Sequence, residues 1–264
     1  MCKFFDVSRS GYYDWTKRFS KAAKDRWLAD LIAECQTKSN KTYGYRRVKI
    51  WLLREYGLIA NHKAVLRVMN KYNMLSEIRR RRKYQQYFDA VHKYPNLLNQ
   101  DFQAENPNQK WVTGISYIHT KQGVLYLSAI KDLYDGFIVA HNYGTEQSVN
   151  LVLNTINLAK KKEKVASGLT LHSDQGFQYT SHAYFHLTKE YDITTSMSRR
   201  ANPFDNASME NFFGTLKSEC VYRTKIDTIE QAKQLINEYI YFYNYERICL
   251  KTNQTPYEKR CLTA

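Results

Sequence analysis

The chemistry open to this chain rests on two acidic residues, Asp174 and Glu210, with 35 residues between them. Asp174 stands in Leu171-His172-Ser173-Asp174-Gln175-Gly176, an apolar run that ends in an acid and then a glycine. Glu210 stands in Asp205-Asn206-Ala207-Ser208-Met209-Glu210-Asn211-Phe212-Phe213, the opening of an amphipathic helix. A strand-end aspartate and a helix-borne glutamate can converge from separate elements on divalent cations. Two Mg²⁺ (or Mn²⁺) ions about 4 Å apart, held by such carboxylates, activate the attacking oxygen and stabilise the leaving one in phosphodiester chemistry. Each acid also has a plainer reading. Asp174 reads as a loop aspartate capping the next turn, and Glu210 as an acid favoured near a helix N-terminus.

The elements that must position these acids are legible as alternation and periodicity. Residues 111–120 predict a strand with Trp111, Thr113, Ile115 and Tyr117 on one face, followed by strands over 124–133 and 136–142. Residues 146–161 predict a helix with Val149, Val152, Leu153, Ile156 and Leu158 as its apolar content, and residues 169–173 a fourth strand. A helix, a short strand at 194–197 and two further helices complete the chain. Three strands in a row, then alternating helices and strands, fit an α/β fold with a mixed sheet flanked by helices. Asp174 then lies just past the carboxyl end of a buried strand, where open α/β sheets gather functional groups. Glu210 falls on the first turns of a helix capped by Asp205 or Asn206. Lys217, seven residues further on, shares its face.

Other segments join the two acids in a pattern. They are Trp111-Val112-Thr113-Gly114-Ile115-Ser116-Tyr117-Ile118, Tyr126-Leu127-Ser128-Ala129-Ile130-Lys131-Asp132-Leu133 and Leu216-Lys217-Ser218-Glu219. Tyr243-Asn244-Tyr245-Glu246-Arg247 and Thr255-Pro256 complete the set. With them the chain resembles, over nearly its whole length, the second-frame insertion-sequence transposases of the DDE type, relatives of retroviral integrases. The resemblance implies a ribonuclease-H-like integrase core preceded by an all-α helix-turn-helix region. It implies binding of element ends and metal-dependent DNA cleavage and strand transfer, with Asp174 and Glu210 as catalytic, metal-holding residues. The implied partners are double-stranded DNA (element ends and target), further copies of the chain on that DNA, and an upstream-frame partner or fusion. Lys217 resembles a family lysine that meets DNA near the active site; plain solvent exposure is its other reading.

In the family pattern, the position of Gly114 is the first catalytic aspartate. The expected consequence is a second metal ion held weakly and impaired catalysis. The alternative is a catalytically inactive DNA-binding protein, a repressor of the parent element. Asp132 closes the strand beside Gly114, but the family pattern already has an acid there, so Asp132 and its neighbour Asp135 read as structural. Within a strand, glycine lacks packing and costs conformational entropy, so Gly114 is expected to bring no structural benefit.

A chain of 264 residues is long enough for two domains. Its net charge of +15 is uneven. Residues 1–100 hold 22 Lys and Arg against 8 Asp and Glu, a balance of +14; residues 101–264 hold 18 against 17, a balance of +1. A basic front joined to a near-neutral back suggests a nucleic-acid grip attached to a separate body. The expected parts are a partial helical DNA-binding unit (1–20), a helix-turn-helix domain (21–78), a basic linker (79–105) and the catalytic core (106–264).

The first part reads as a helix end, a turn and a short helix capped by Ser8, as if the first helix of the unit were absent. A helix over 21–38 carries Leu28, Leu31, Ile32 and Cys35 on one face, and one over 44–55 carries Val48, Trp51 and Leu52. Gly57 permits the turn, and Asn61 caps a helix with Val65, Val68, Met69 and Tyr72 inward. His62, Lys63 and Arg67 would face the major groove, and Arg46 and Arg47 would meet phosphates. Arg79, Arg80, Arg81, Arg82 and Lys83 repel each other and resist burial, which suits a linker ordered by phosphates. Five scattered cysteines (Cys2, Cys35, Cys220, Cys249, Cys261) without a Cys-x-x-Cys pair suit a reducing compartment. With no run approaching a membrane span, a bacterial cytoplasm is the expected location.

Overall fold

The computed structural model describes residues 7–19, 25–77, 94–163, 165, 168–200 and 202–262. The chain divides into two compact units, residues 1–78 and 79–264. The cations Arg79, Arg80, Arg81, Arg82 and Lys83 lie outside the described residues.

The first unit holds α1 (Arg9–Phe19), α2 (Arg26–Lys38), α3 (Tyr45–Tyr56) and α4 (His62–Lys71). Ser8 Oγ accepts the Gly11 N–H at 3.0 Å at the start of α1. The apolar stripes meet as the spacing predicts: Leu28, Ile32 and Cys35 of α2 are buried with Val48, Trp51 and Leu52 of α3 and Val65, Val68 and Met69 of α4. Leu31 and Tyr72 are only half-buried. Gly57 closes α3 at φ 63°, with its N–H on Leu53 O, a left-handed conformation that glycine adopts without a Cβ clash. Asn61 caps α4, its side chain accepting from Lys63 N. Buried Gln36 Nε2 donates to Tyr43 O and Met74 O, fastening the start of α3 to the end of α4.

The second unit opens with an antiparallel meander of β1 (Lys110–Thr120), β2 (Gly123–Asp132) and β3 (Ile138–Gly144). After α5 (Val149–Lys162), β4 (Thr170–Ser173) pairs parallel to β1. After α6 (His182–Glu190), β5 (Thr194–Met197) pairs parallel to β4. The sheet order is β3-β2-β1-β4-β5, and α7 (Ala207–Glu219), α8 (Ile229–Tyr245) and α9 (Pro256–Cys261) follow. Both faces of the sheet are covered, because successive side chains of a strand point to opposite sides. On one face Trp111 and Ile130 pack with Val152 and Ile156 of α5 and Tyr184 of α6. On the other, Val112, Ile118 and Leu127 pack with Phe212 and Leu216 of α7 and Ile236 and Ile240 of α8.

Three expectations need correction. The final helices are three rather than two: Thr255 and Glu258 form a reciprocal capping box with Pro256 in the first turn, which starts α9. Leu158 is exposed, because the stripe that α5 buries runs through Leu151, Val152, Thr155, Ile156 and Ala159. Tyr117 is exposed too; β4 pairs with β1 only from Lys110 to Val112, and Tyr117 lies beyond that stretch.

Several motif residues fasten helices to the sheet. Asn244 Oδ1 accepts from Ile138 N at 2.9 Å while its Nδ2 donates to Ile138 O at 3.1 Å, pinning α8 to β3. Arg247 grips Glu219 through Nε and Nη2, and Tyr239 O–H donates to the same carboxylate. Asp132 is buried at the end of β2, where it accepts from Asn108 N, Tyr134 N and Arg260 Nη2. Arg260 of α9 also pairs with Asp135 and Glu163. Burial, then the charge of Asp135, pushes the Asp132 carboxyl up to about 6 against these hydrogen bonds.

Asn244→Ala should destabilise the second unit by about 1–3 kcal/mol, because it strands a buried backbone N–H and C=O of Ile138. A lowered urea midpoint with an unchanged slope would bear this out, and an unaltered midpoint would count against it.

Candidate active site

β4 ends in the buried Ser173, and the chain turns at Asp174, whose side chain is exposed. Its Oδ1 accepts the Gly176 N–H at 2.9 Å, so the residue does cap its own turn. Glu210 lies on the opening turns of α7 and is exposed as well. The surrounding protein desolvates both carboxyls and raises them above their ordinary values; the Gly176 N–H opposes this at Asp174. The negative charge of Asp174 raises Glu210 further. The structure therefore brings Asp174 near enough for its charge to act on Glu210.

Gly114 sits in the middle of β1, buried, and its Cα faces the same turn of α7. A Cβ built there would meet Met209 Cγ and Phe213 Cε2 at 3.2 Å each, with Asn206 Nδ2 at 4.0 Å. Met209 directly precedes Glu210. This corrects the expectation that Gly114 brings no structural benefit: without a side chain, β1 lets α7 approach closely. Asp132, at the end of the neighbouring strand, is engaged by Arg260, and among the described residues no group of three or more His, Cys, Asp or Glu could hold a metal ion.

A polar network fixes both acids. Asn206 occupies the N-cap position of α7, but its side chain makes no cap bond; Nδ2 donates to Thr113 O at 3.1 Å, next to Gly114. Asp205 does not cap the helix either. Its carboxylate accepts from Arg199 N, Nε and Nη2, Asn96 Nδ2 and Gln100 Nε2. On the neighbouring strands, buried His172 is hydrogen-bonded through Nδ1 to Ser196 Oγ and through Nε2 to Ser198 Oγ. Burial lowers this imidazole to about 4, so it is neutral near pH 7. Ser198 N donates to Ser173 O, and Gln175 Nε2 donates to Ser198 O. The segment 196–199 thus holds the Asp174 turn on one side and Asp205 on the other. Sequence reasoning missed Arg199, Asn96, Gln100 and the two serines, because they meet Asp205 and His172 only through folding.

Of the residues expected to meet DNA, Lys217 lies two turns after Glu210 with Nζ 4.4 Å from the centre of the Tyr117 ring. In the first unit, Arg46, His62, Lys63 and Arg67 are exposed, while Arg47 is half-buried with its guanidinium 5.8 Å from the Tyr43 ring centre. The Tyr45 ring stacks on His62, and Arg46 Nε donates to Tyr45 Oη. Tyr45 at the start of α3 thereby links two of these residues at the first turn of α4.

Comparison with known proteins supports this architecture. Residues 104–203 and 210–262 match the integrase core domain family, and residues 22–82 match the HTH-like domain family. The chain is 39% identical to the InsK protein of insertion sequence element IS150 from Escherichia coli (strain K12), over 97% of this chain and 90% of that one. It is 36% identical to the transposase for insertion sequence element IS904 from Lactococcus lactis subsp. lactis (strain IL1403), over 84% of this chain and 88% of that one. In fold it is similar to a chain in the structure of the simian T-cell lymphotropic virus intasome with PP2A regulatory subunit B56 gamma. The TM-score is 0.53 at 14% identity, covering 87% of this chain and 74% of that one. The expected fold, a mixed five-stranded sheet flanked by helices with a helix-turn-helix-like region before it, is the one observed. No helix among the described residues is long and apolar enough to cross a membrane.

An acid raised in the folded state binds its proton more tightly there than in the unfolded chain. Stability is then full below the ordinary values of 3.8 for Asp and 4.5 for Glu, and declines as pH rises through the folded ones. Asp174→Asn and Glu210→Gln should therefore each raise the melting temperature at pH 7 and leave it unchanged at pH 3. Melting curves across that range would check this; a fall at pH 7 would contradict it.

Proposed function

Since this chain belongs to the insertion-sequence transposases, a DDE-type polynucleotidyl transferase family with an integrase core, we propose that it binds element ends and handles their phosphodiesters at Asp174 and Glu210. The observation that carries this reading is that the charge of Asp174 reaches Glu210, both residues being exposed, while Met209, the residue before Glu210, packs on Gly114. Such a pair suits a divalent cation. Asp174 and Glu210 would hold one Mg²⁺ or Mn²⁺ ion, with water completing its shell. The donor set does not suit a second ion, since Gly114 supplies no oxygen and Asp132 is bound to Arg260. When bound, such ions activate the attacking oxygen and stabilise the leaving one. Cleavage and strand transfer are therefore impaired in this chain while DNA binding is retained.

On this reading residues 21–78 are the helix-turn-helix domain, 79–105 a basic linker and 106–264 the core. His62, Lys63 and Arg67 meet bases, Arg46, Arg47 and the Arg79, Arg80, Arg81 and Arg82 run meet phosphates, and Lys217 holds the strand near the acids. The chain acts as copies assembled on element ends and target DNA, with or without an upstream-frame partner, in a bacterial cytoplasm. The close packing of Met209 and Phe213 on Gly114 favours one second reading, a DNA-binding repressor of the parent element without catalysis.

Gly114→Asp separates the two. The new side chain crowds Met209 and Phe213 and adds a third negative charge, so without metal it should cost about 1–3 kcal/mol. A divalent ion at one hundred times its dissociation constant should return about 2.7 kcal/mol. Thermal unfolding of Gly114→Asp should thus respond strongly to Mn²⁺, and that of the unsubstituted chain weakly. Metal-dependent joining of element ends should appear only with Gly114→Asp and vanish with Glu210→Gln added. Equal activity of the two chains would assign the first carboxylate elsewhere, and inactivity of both would favour the repressor.

Binding to duplex DNA should weaken steeply with salt. Replacing Arg46 and Arg47 by alanine should reduce the slope by about one for each phosphate that is no longer neutralised. A slope that does not change would remove both residues from the DNA surface.

A further inference from the structure

Two large apolar side chains stand in solvent on the turns that follow Asp174 and lead into the helix of Glu210. Phe177 is 61% exposed and Phe204 is 68% exposed. Most other described phenylalanines (Phe102, Phe137, Phe212, Phe213, Phe242) lie in or against the core. Leaving an aromatic ring in water forgoes the burial that stabilises its neighbours. Phe177 follows Asp174 by three residues, in the turn closed by the Gly176 N–H. Phe204 lies in the single 3-10 turn Pro203–Asn206 that feeds α7, and its N–H donates to Asn202 Oδ1 at 3.1 Å.

Both mounts are fixed and joined. Gln175 Nε2 holds Ser198 O, and Arg199 grips Asp205, the residue after Phe204. The rings are thus carried by two fastened turns that lie between the two acids in sequence, one just after Asp174 and one just before the helix of Glu210. Arg199, with its side chain 52% exposed, and exposed Arg200 lie in the same segment. Exposed rings and exposed arginines carried by joined segments match a nucleotide, which offers a π-face and a phosphate together. An apolar protein partner would match the rings but not the cations.

We propose that Phe177 and Phe204 form an aromatic rim that stacks on an unpaired base of the strand whose phosphodiester reaches Asp174 and Glu210. The inference rests on the DNA-processing reading above and adds to it a preference for DNA whose end is opened. A base in intact duplex must first be unstacked and unpaired, at a cost that a mismatched or frayed end does not carry. The rim therefore selects ends that are already open and holds the strand against sliding.

The test uses the full chain and two short duplexes, one fully paired and one with mismatched terminal pairs carrying the fluorescent base analogue aminopurine. The unsubstituted chain should prefer the open end by on the order of tenfold and should quench the analogue. Phe177→Ala combined with Phe204→Ala should bind paired DNA as before, with the same salt slope, and lose both the preference and the quenching. Phe177→Tyr combined with Phe204→Tyr should keep them, and both pairs should fold, since these side chains are exposed. A preference that survives the alanine pair, or a chain that binds both duplexes equally, overturns the rim and leaves the DNA-binding reading standing. A chain that binds neither duplex overturns both.

Discussion

The Asp205 carboxylate, wholly withdrawn from solvent, is the interaction on which the site depends. It receives three bonds from Arg199, one from Asn96 and one from Gln100, and these donors, Arg199 first, hold it well below the usual carboxylate range. A buried acid is costly to desolvate, and that cost is offset only when its oxygens are saturated by donors. Because its folded value is depressed, the contribution is present at neutral pH and is lost only in strong acid. The ion pair joins residues 96–100, the end of β5 and the start of α7. With Asn206 on Thr113 O, it fixes the angle at which α7 leaves the sheet.

That angle matters because α7 carries Glu210 and packs Met209 and Phe213 onto Gly114. Two desolvated acids, with the charge of Asp174 acting on Glu210, are a local cost which the rest of the fold must carry. Their separation cannot relax, because the Asp174 turn is held through Ser173, Gln175 and His172 to the segment that also holds Asp205. The neutral His172 suits this role, since it keeps the network independent of pH near neutrality.

The remaining motif residues do architectural work at a distance from the acids. Asn244 satisfies one backbone N–H and one C=O of β3, and Glu219 gathers Arg247 and Tyr239 from α8. Arg260 ties α9 to Asp132, Asp135 and Glu163. Asp132 lies next to the site in the sheet and remains unavailable to it, because its oxygens are committed to this cluster.

The sequence by itself determined the elements and their apolar faces, because strand alternation and helical spacing are local and the cores follow from them. The boundaries of β5, the cap at Asn61, the left-handed Gly57 and the inward residues of α3 and α4 were legible for that reason. Asp174 and Glu210 could be singled out from local motifs, and their types implied the chemistry before any geometry was known. Only the tertiary structure decided that Glu210 feels the charge of Asp174, that Asp205 and Asn206 bind other segments rather than cap α7, and that Asp132 belongs to Arg260. The same holds for Gly114: its absent side chain was visible in the sequence, but not that Met209 and Phe213 close on it. Most of these outcomes depend on residues tens to more than a hundred positions apart, or on packing across elements, and no local pattern encodes which distant partner a buried polar group will find.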